Sequence, residues 1–131
     1  VNNLEKSREF YKDILELKEG RSSSNLWVDF NFFGHQLVIH YVENKRESVT
    51  NPVDGKDVPV PHFGIILDWK DFHNFAELLI KKEITFIIEP YTRFKGLVGE
   101  QSTMFFKDPS GNALEFKSFK DPERLFAKDI N

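Results

Sequence analysis

At 131 residues the chain fits one compact domain with a buried core, and a 40% apolar share with a formal charge of −3 describes an ordinary soluble globule. That balance favours neither nucleic acid nor an anionic membrane as partner, and with no Cys there is no disulfide framework, thiolate nucleophile or thiolate metal site. His, Asp and Glu are left as the metal-ligand types. No apolar run approaches the roughly 20 residues that cross a bilayer, and no signal-peptide pattern opens the chain, so the expected address is cytoplasmic.

In chain order, the first element is a helix, for which Asn2 or Asn3 supplies a cap and Glu5, three residues after Asn2, the spacing of a capping box. Leu4, Tyr11, Ile14 and Leu15 recur at helical spacing, and the run FYKDILELKEG leads into a strand pair within NLWVDFNFFGHQLVIHY. Residues 43–61, with Asn51-Pro52, Asp54-Gly55 and several prolines, read as a linker. HFGIIL is then a strand, with Phe63, Ile65 and Leu67 on one face and His62, Gly64 and Ile66 on the other. A second helix follows, carrying Phe72, Phe75, Ala76, Leu79 and Ile80 on one side. In EPYTRFKGLVGEQ, Gly96 and Gly99 mark a flexible loop holding Tyr91, Arg93, Glu100 and Gln101. The chain closes on TMFFKDPSGNALEFKSF, where Asp108 to Gly111 form a type I turn with Gly111 left-handed, and Glu115, Lys117 and Phe119 face away from Leu114, Phe116 and Ser118.

The same pattern thus occurs twice. Registering Gly34 on Gly111 and Leu37 on Leu114 sets Val38 at the position of Glu115, whereas the counterpart of His62 falls ahead of residue 1, so the leading strand of the first copy is expected to be missing. The predicted fold is α+β, a strand–helix–strands unit used twice with helices on one sheet face and the other face free. Two such sheets facing each other make a cup, with His62 and Glu115 projecting into it. The divisions are module one at 1–43, a linker at 44–60, module two at 61–120 and a tail at 121–131. The 14 Phe residues suit a ring-walled core or cavity.

The run FFKDPSGNALEF, together with NLEKSREFYKDILELKEGR and VPHFGIIL, resembles the vicinal oxygen chelate superfamily, which includes glyoxalase I, the bleomycin-resistance proteins and the extradiol dioxygenases. The resemblance spans nearly the whole chain. It implies paired βαβββ modules forming a cup-shaped open barrel around a divalent ion such as Fe2+, Mn2+, Ni2+ or Zn2+, with ligands on the first and last strands of each module. Carried over residue by residue, it implies His62 and Glu115 as metal ligands; the matching first-strand ligand of module one would precede Val1, and Val38 occupies the fourth position. A four-ligand glyoxalase I arrangement has a carboxylate there, so the chain is closer to the three-ligand dioxygenase-like branch.

Two imidazoles and one carboxylate leave adjacent open positions on a divalent ion, which suits a small substrate chelating through two neighbouring oxygens. The implied function is a metal-dependent, dioxygenase-like or lyase-like enzyme; the alternative is a metal-free binding protein of bleomycin-resistance type. Gly64 would let substrate approach the backbone closely, Gln36 and His40 share the face of Val38, and Arg93 could pair with a substrate carboxylate. Taken alone, a His after Pro61 is more often a hydrogen-bonded strand-start residue, and Glu115 beside Lys117 a solvent face. A homodimer is expected, with modules paired within a chain or exchanged between chains.

Overall fold

A computed structural model of the protein describes residues 1–45 and 49–129. Their contacts divide into two compact units: one from the N-terminal part of the chain with Asp108–Asn112, the other from Val49–Lys107 and the chain from Ala113 onward. The architecture is mixed α+β. Residues 46–48, within the segment read as a linker, and the end of the tail lie outside the described residues.

The first unit opens on helix α1 (Leu4–Glu9), capped by Asn3, whose side chain accepts a hydrogen bond from the Lys6 amide at 3.0 Å. Asn3, of the two candidates, therefore satisfies an orphan donor of the first turn. The helix continues as a π-helical turn, Phe10–Ile14, which buries Phe10 and Tyr11. An antiparallel sheet follows in the order β1 (Lys18–Ser23), β2 (Trp27–Phe32), β3 (His35–His40). Register pairs Val28 with Ile39 and Phe30 with Leu37 on the face that buries Val28, Phe30, Phe32 and Ile39. Asp29, opposite Val38, is on the other face. The sequence reading ran its first copy from helix to hairpin and passed over β1, which is mostly exposed and is broken by an irregularity between Glu19 and Ser22.

The second unit contains a complete βαβββ module: β6 (His62–Ile66), α2 (Trp69–Lys81), β7 (Phe86–Arg93), β8 (Gln101–Lys107) and β9 (Ala113–Phe119). Its sheet order is β6-β9-β8-β7, with β6 parallel to β9 and the other pairs antiparallel. Helix α2 buries Phe72, Phe75, Ala76 and Leu79, whereas Ile80, read as part of that face, is exposed. Phe75 meets Phe116 edge-on at 5.0 Å and Phe106 stacks on Phe116 at 5.6 Å, so one sheet face is sealed by rings as the alternation implied. The segment read as a linker carries an antiparallel hairpin, β4 (Val49–Val53) and β5 (Lys56–Val60), turning at Asp54-Gly55. The EPYTRFKGLVGEQ stretch is correspondingly less of a loop than expected: β7 runs to Arg93 and β8 starts at Gln101.

The turn between β8 and β9 is built on a buried carboxylate. Asp108 accepts from the amides of Ser110 and Asn112, the Asn112 side chain and the Tyr11 hydroxyl, all at 2.8–2.9 Å. Gly111, at φ +82°, returns its amide to the Asp108 carbonyl at 3.0 Å, the expected turn. Burial, and then the charge of Asp108, hold the Tyr11 phenol far above its ordinary range, so it remains a donor. Tyr11→Phe removes one donor to a buried charge and is expected to lower stability by about 1.5–3 kcal/mol, read as a fall in the urea midpoint at unchanged slope.

Candidate metal centre

Parallel pairing of β6 and β9 sets His62 opposite Ala113 and Gly64 opposite Glu115. His62 and Glu115 therefore share the sheet face that Leu114 and Phe116 leave vacant, and the His62 Nε2 lies 3.7 Å from the Glu115 Oε1. Both side chains are partly covered, 33% and 21% exposed, which shields them from solvent without sealing them off.

Each of the two groups is held from behind. His62 Nδ1 is 2.8 Å from the Pro59 carbonyl, which can only accept, so this nitrogen carries a proton and Nε2 is the ring atom turned toward Glu115. Phe105, the cross-strand partner of Glu115, packs edge-on against the imidazole at 5.0 Å. The Thr103 hydroxyl donates to Glu115 Oε2 at 2.8 Å and leaves Oε1 toward the histidine. Hydrogen bonding of the far nitrogen and far oxygen is the usual support of metal-ligating imidazoles and carboxylates.

Two donors on one ion at about 2.1 Å are separated by roughly 3.0–3.4 Å, so a small side-chain adjustment from 3.7 Å admits a divalent cation. His62 and Glu115 thus fit as two protein ligands. Among the described residues no group of three or more His, Cys, Asp or Glu is positioned to hold a metal.

Gly64 has a structural reason of its own. A Cβ built there would stand 1.5 Å from the Glu115 carbonyl oxygen, so close approach of β6 to β9 requires glycine. A hollow of about 370 Å³ lies along β6, lined by His62, Phe63, Gly64, Ile65, Ile66 and Glu115. Its size suits a small ligand.

Of the remaining sequence-derived candidates, Gln36 and His40 belong to the first unit and Arg93 to the second. Gln36, Val38 and His40 alternate on β3 in the first unit and share one face, as read from the sequence. The Gln36 amide donates to Asp29 Oδ2 at 3.0 Å, and Asp29 also receives the Arg21 amide where β1 is irregular. Gln36 is thereby partly committed to a buried carboxylate, while His40 is exposed. Arg93 ends β7 and forms an ion pair with Asp54 at 2.5 Å. Thr103, Phe105 and Asp54 were not singled out in the sequence. Thr103 and Phe105 alternate with Met104 and Phe106, and that periodicity was the available signal for their face.

A sequence model of the Glyoxalase/Bleomycin resistance protein/Dioxygenase superfamily matches residues 1–116. The chain belongs to this superfamily. A glyoxalase/bleomycin resistance protein/dioxygenase from Alicyclobacillus acidocaldarius is 33% identical and superposes with a TM-score of 0.78, over 96% of this chain and 90% of that one. A fosfomycin resistance protein from Listeria monocytogenes (18% identity, TM-score 0.68, 95% and 91% coverage) and a lactoylglutathione lyase from Agrobacterium tumefaciens (17%, 0.62, 92% and 88%) share the fold. No curated protein matches the chain. Proteins named as lyases, dioxygenases and antibiotic-resistance proteins therefore share this framework.

Gly64→Ala forces the Glu115 backbone away from β6 and is expected to cost about 3 kcal/mol or more, near the upper end for overpacked sites. Urea unfolding of the variant measures this. Thr103→Val, by contrast, removes one hydrogen bond to a half-exposed carboxylate and is expected to cost only about 1 kcal/mol.

Proposed function

We propose that the protein is a divalent-metal-dependent enzyme of the vicinal oxygen chelate type, dioxygenase-like or lyase-like, acting on a small substrate that presents two neighbouring oxygens. The observation that carries this reading is the His62–Glu115 pair, brought to 3.7 Å with its outer atoms already hydrogen-bonded. The Pro59 carbonyl and the Thr103 hydroxyl, which turn Nε2 and Oε1 toward each other, support this reading.

In this reading His62 Nε2 and Glu115 Oε1 hold the ion, and a third protein donor lies outside the described residues. When bound, the cation acts as a Lewis acid that lowers the pKa of a substrate hydroxyl. The chain's own contribution is orientation: Pro59 fixes the imidazole tautomer, Thr103 fixes the carboxylate, and Phe105 keeps water from one side of the ring. Gly64 and Arg93 are assigned to substrate contact in the second unit, and Gln36 and His40 to substrate contact on β3 of the first. Assembly is assigned as a homodimer, supported by β6, which forms one edge of the four-stranded sheet.

The second reading is a metal-free small-molecule binder of bleomycin-resistance type, the class that the matched superfamily also names. Elemental analysis of full-length protein purified without chelator separates the two. The enzyme reading expects stoichiometric Mn, Fe, Ni, Zn or Co and a loss of at least tenfold in metal affinity in His62→Ala, in line with the cost of removing a supporting or direct ligand interaction. Metal-free protein, or full occupancy in His62→Ala, overturns it.

A further inference from the structure

Hairpin β4–β5 carries an acid group onto basic and phenolic side chains of the second unit. Asp54, at φ 52° in the turn, puts its Oδ2 2.5 Å from Arg93 Nε and 3.3 Å from the Tyr91 hydroxyl, which donates to it. Lys56, two residues on, holds its Nζ 4.8 Å from the Tyr91 ring centre. Arg93 is itself seated against the Phe94 ring at 4.9 Å. One guanidinium and one phenol thus converge on the Asp54 carboxylate, with the Lys56 ammonium against the ring of that phenol.

The asymmetry of this cluster is informative. The Arg93 side chain is 20% exposed and is part of the sheet; Asp54 is 42% exposed and stands on a hairpin whose β4 strand is exposed at every residue. The Arg93 guanidinium, seated in the sheet, thus meets its anion from a more exposed element. The largely covered Arg93 guanidinium is more favourable with a counter-charge than without one, whichever molecule supplies it. Burial first, and then the Asp54 charge, raise the Tyr91 phenol above its ordinary range, so it remains protonated and remains a donor; Arg93 acts in the opposite sense.

The cluster also lies on the face that matters. Tyr91 pairs with Thr103, Thr103 pairs with Lys117, and Glu115 follows Lys117 at the alternating position, so all four occupy the face bearing His62. Thr103 is directly bonded to Glu115.

We propose that Arg93, Tyr91 and Lys56 form a binding site for the carboxylate of a small organic acid, and that the Asp54 side chain is its resident occupant, displaced when the ligand enters. A planar, singly charged group with one guanidinium and one phenolic donor is what Asp54 already supplies, which selects a carboxylate as the ligand class. The proposal rests on the preceding reading only where it makes this ligand the substrate, since binding at Arg93 does not pass through the metal.

The test uses full-length protein stripped of metal by chelator, with benzoate as the probe and ¹⁵N-labelled arginine side chains followed by NMR. Benzoate is expected to shift the Arg93 Nε–H resonance saturably. Asp54→Asn keeps a residue that tolerates the left-handed turn but removes the competing charge, so it should tighten benzoate binding about two- to fivefold, the equivalent of one exposed ion pair. Arg93→Lys, which retains the charge and loses the planar fork, should weaken it. No saturable shift in the native protein overturns the proposal, as does unchanged or weaker binding in Asp54→Asn, the result expected if Asp54 merely positions Arg93. Because no metal is present, failure here is independent of the elemental analysis that decides the metal reading.

Discussion

Parallel strands cannot be joined by a tight turn, so pairing β6 directly with β9 requires a crossover, which in this chain runs through α2, β7 and β8. That detour places His62 beside Glu115 although most of the second unit separates them in sequence. The contact between the two strands tolerates no side chain at residue 64, where a Cβ would meet the Glu115 carbonyl. The glycine therefore serves the geometry of the carboxylate across from it.

With the strands fixed, the remaining freedom is rotameric, and neighbours of both groups remove it. The His62 ring is constrained by a hydrogen bond to Pro59 and an edge-on contact to Phe105; the Glu115 carboxylate is constrained by Thr103. A partly exposed imidazole–carboxylate pair adds little to stability, of the order of 1 kcal/mol or less. Three supporting contacts around a pair of so little energetic value point to orientation as their use, which is how sites are held in working geometry by the shell behind them.

Much of this was readable from alternation. The placement of His62 against Phe63 and Ile65, and of Glu115 against Leu114 and Phe116, follows from period-two patterning, and the Asp108-Pro109-Ser110-Gly111 turn announces itself by composition. Three elements escaped for physical reasons. Strand β1 presents Lys, Glu, Gly, Arg and Ser to solvent, and its irregularity accommodates the Asp29 carboxylate, a tertiary feature that no local pattern encodes. Hairpin β4–β5 contains Pro52 and Pro59, residues that depress strand signals, although Asp54-Gly55 between alternating valines was the mark of a two-residue hairpin turn. Strand β7 contains Pro90 where its pairing with β8 is irregular, between Ile88 and Tyr91, and an edge strand tolerates proline at such a place. The Asp54–Arg93 pair was invisible for a compound reason, since seeing it requires both of the last two strands.

Register is the final constraint on the site. A slip of one residue between β8 and β9 would carry Phe116 to the open face and bury Glu115 among the rings of Phe75 and Phe106, which neither an unpaired carboxylate nor that packing could accept. Two independent devices oppose the slip. The alternation of Leu114, Phe116 and Ser118 against the helix-bearing face penalises it along the whole strand, and the four donors gathered on Asp108 penalise it at the turn. Because the turn lies seven residues before Glu115, the hydrogen bonds gathered on Asp108 reinforce, at the start of β9, the register that the alternation of the strand imposes along its length.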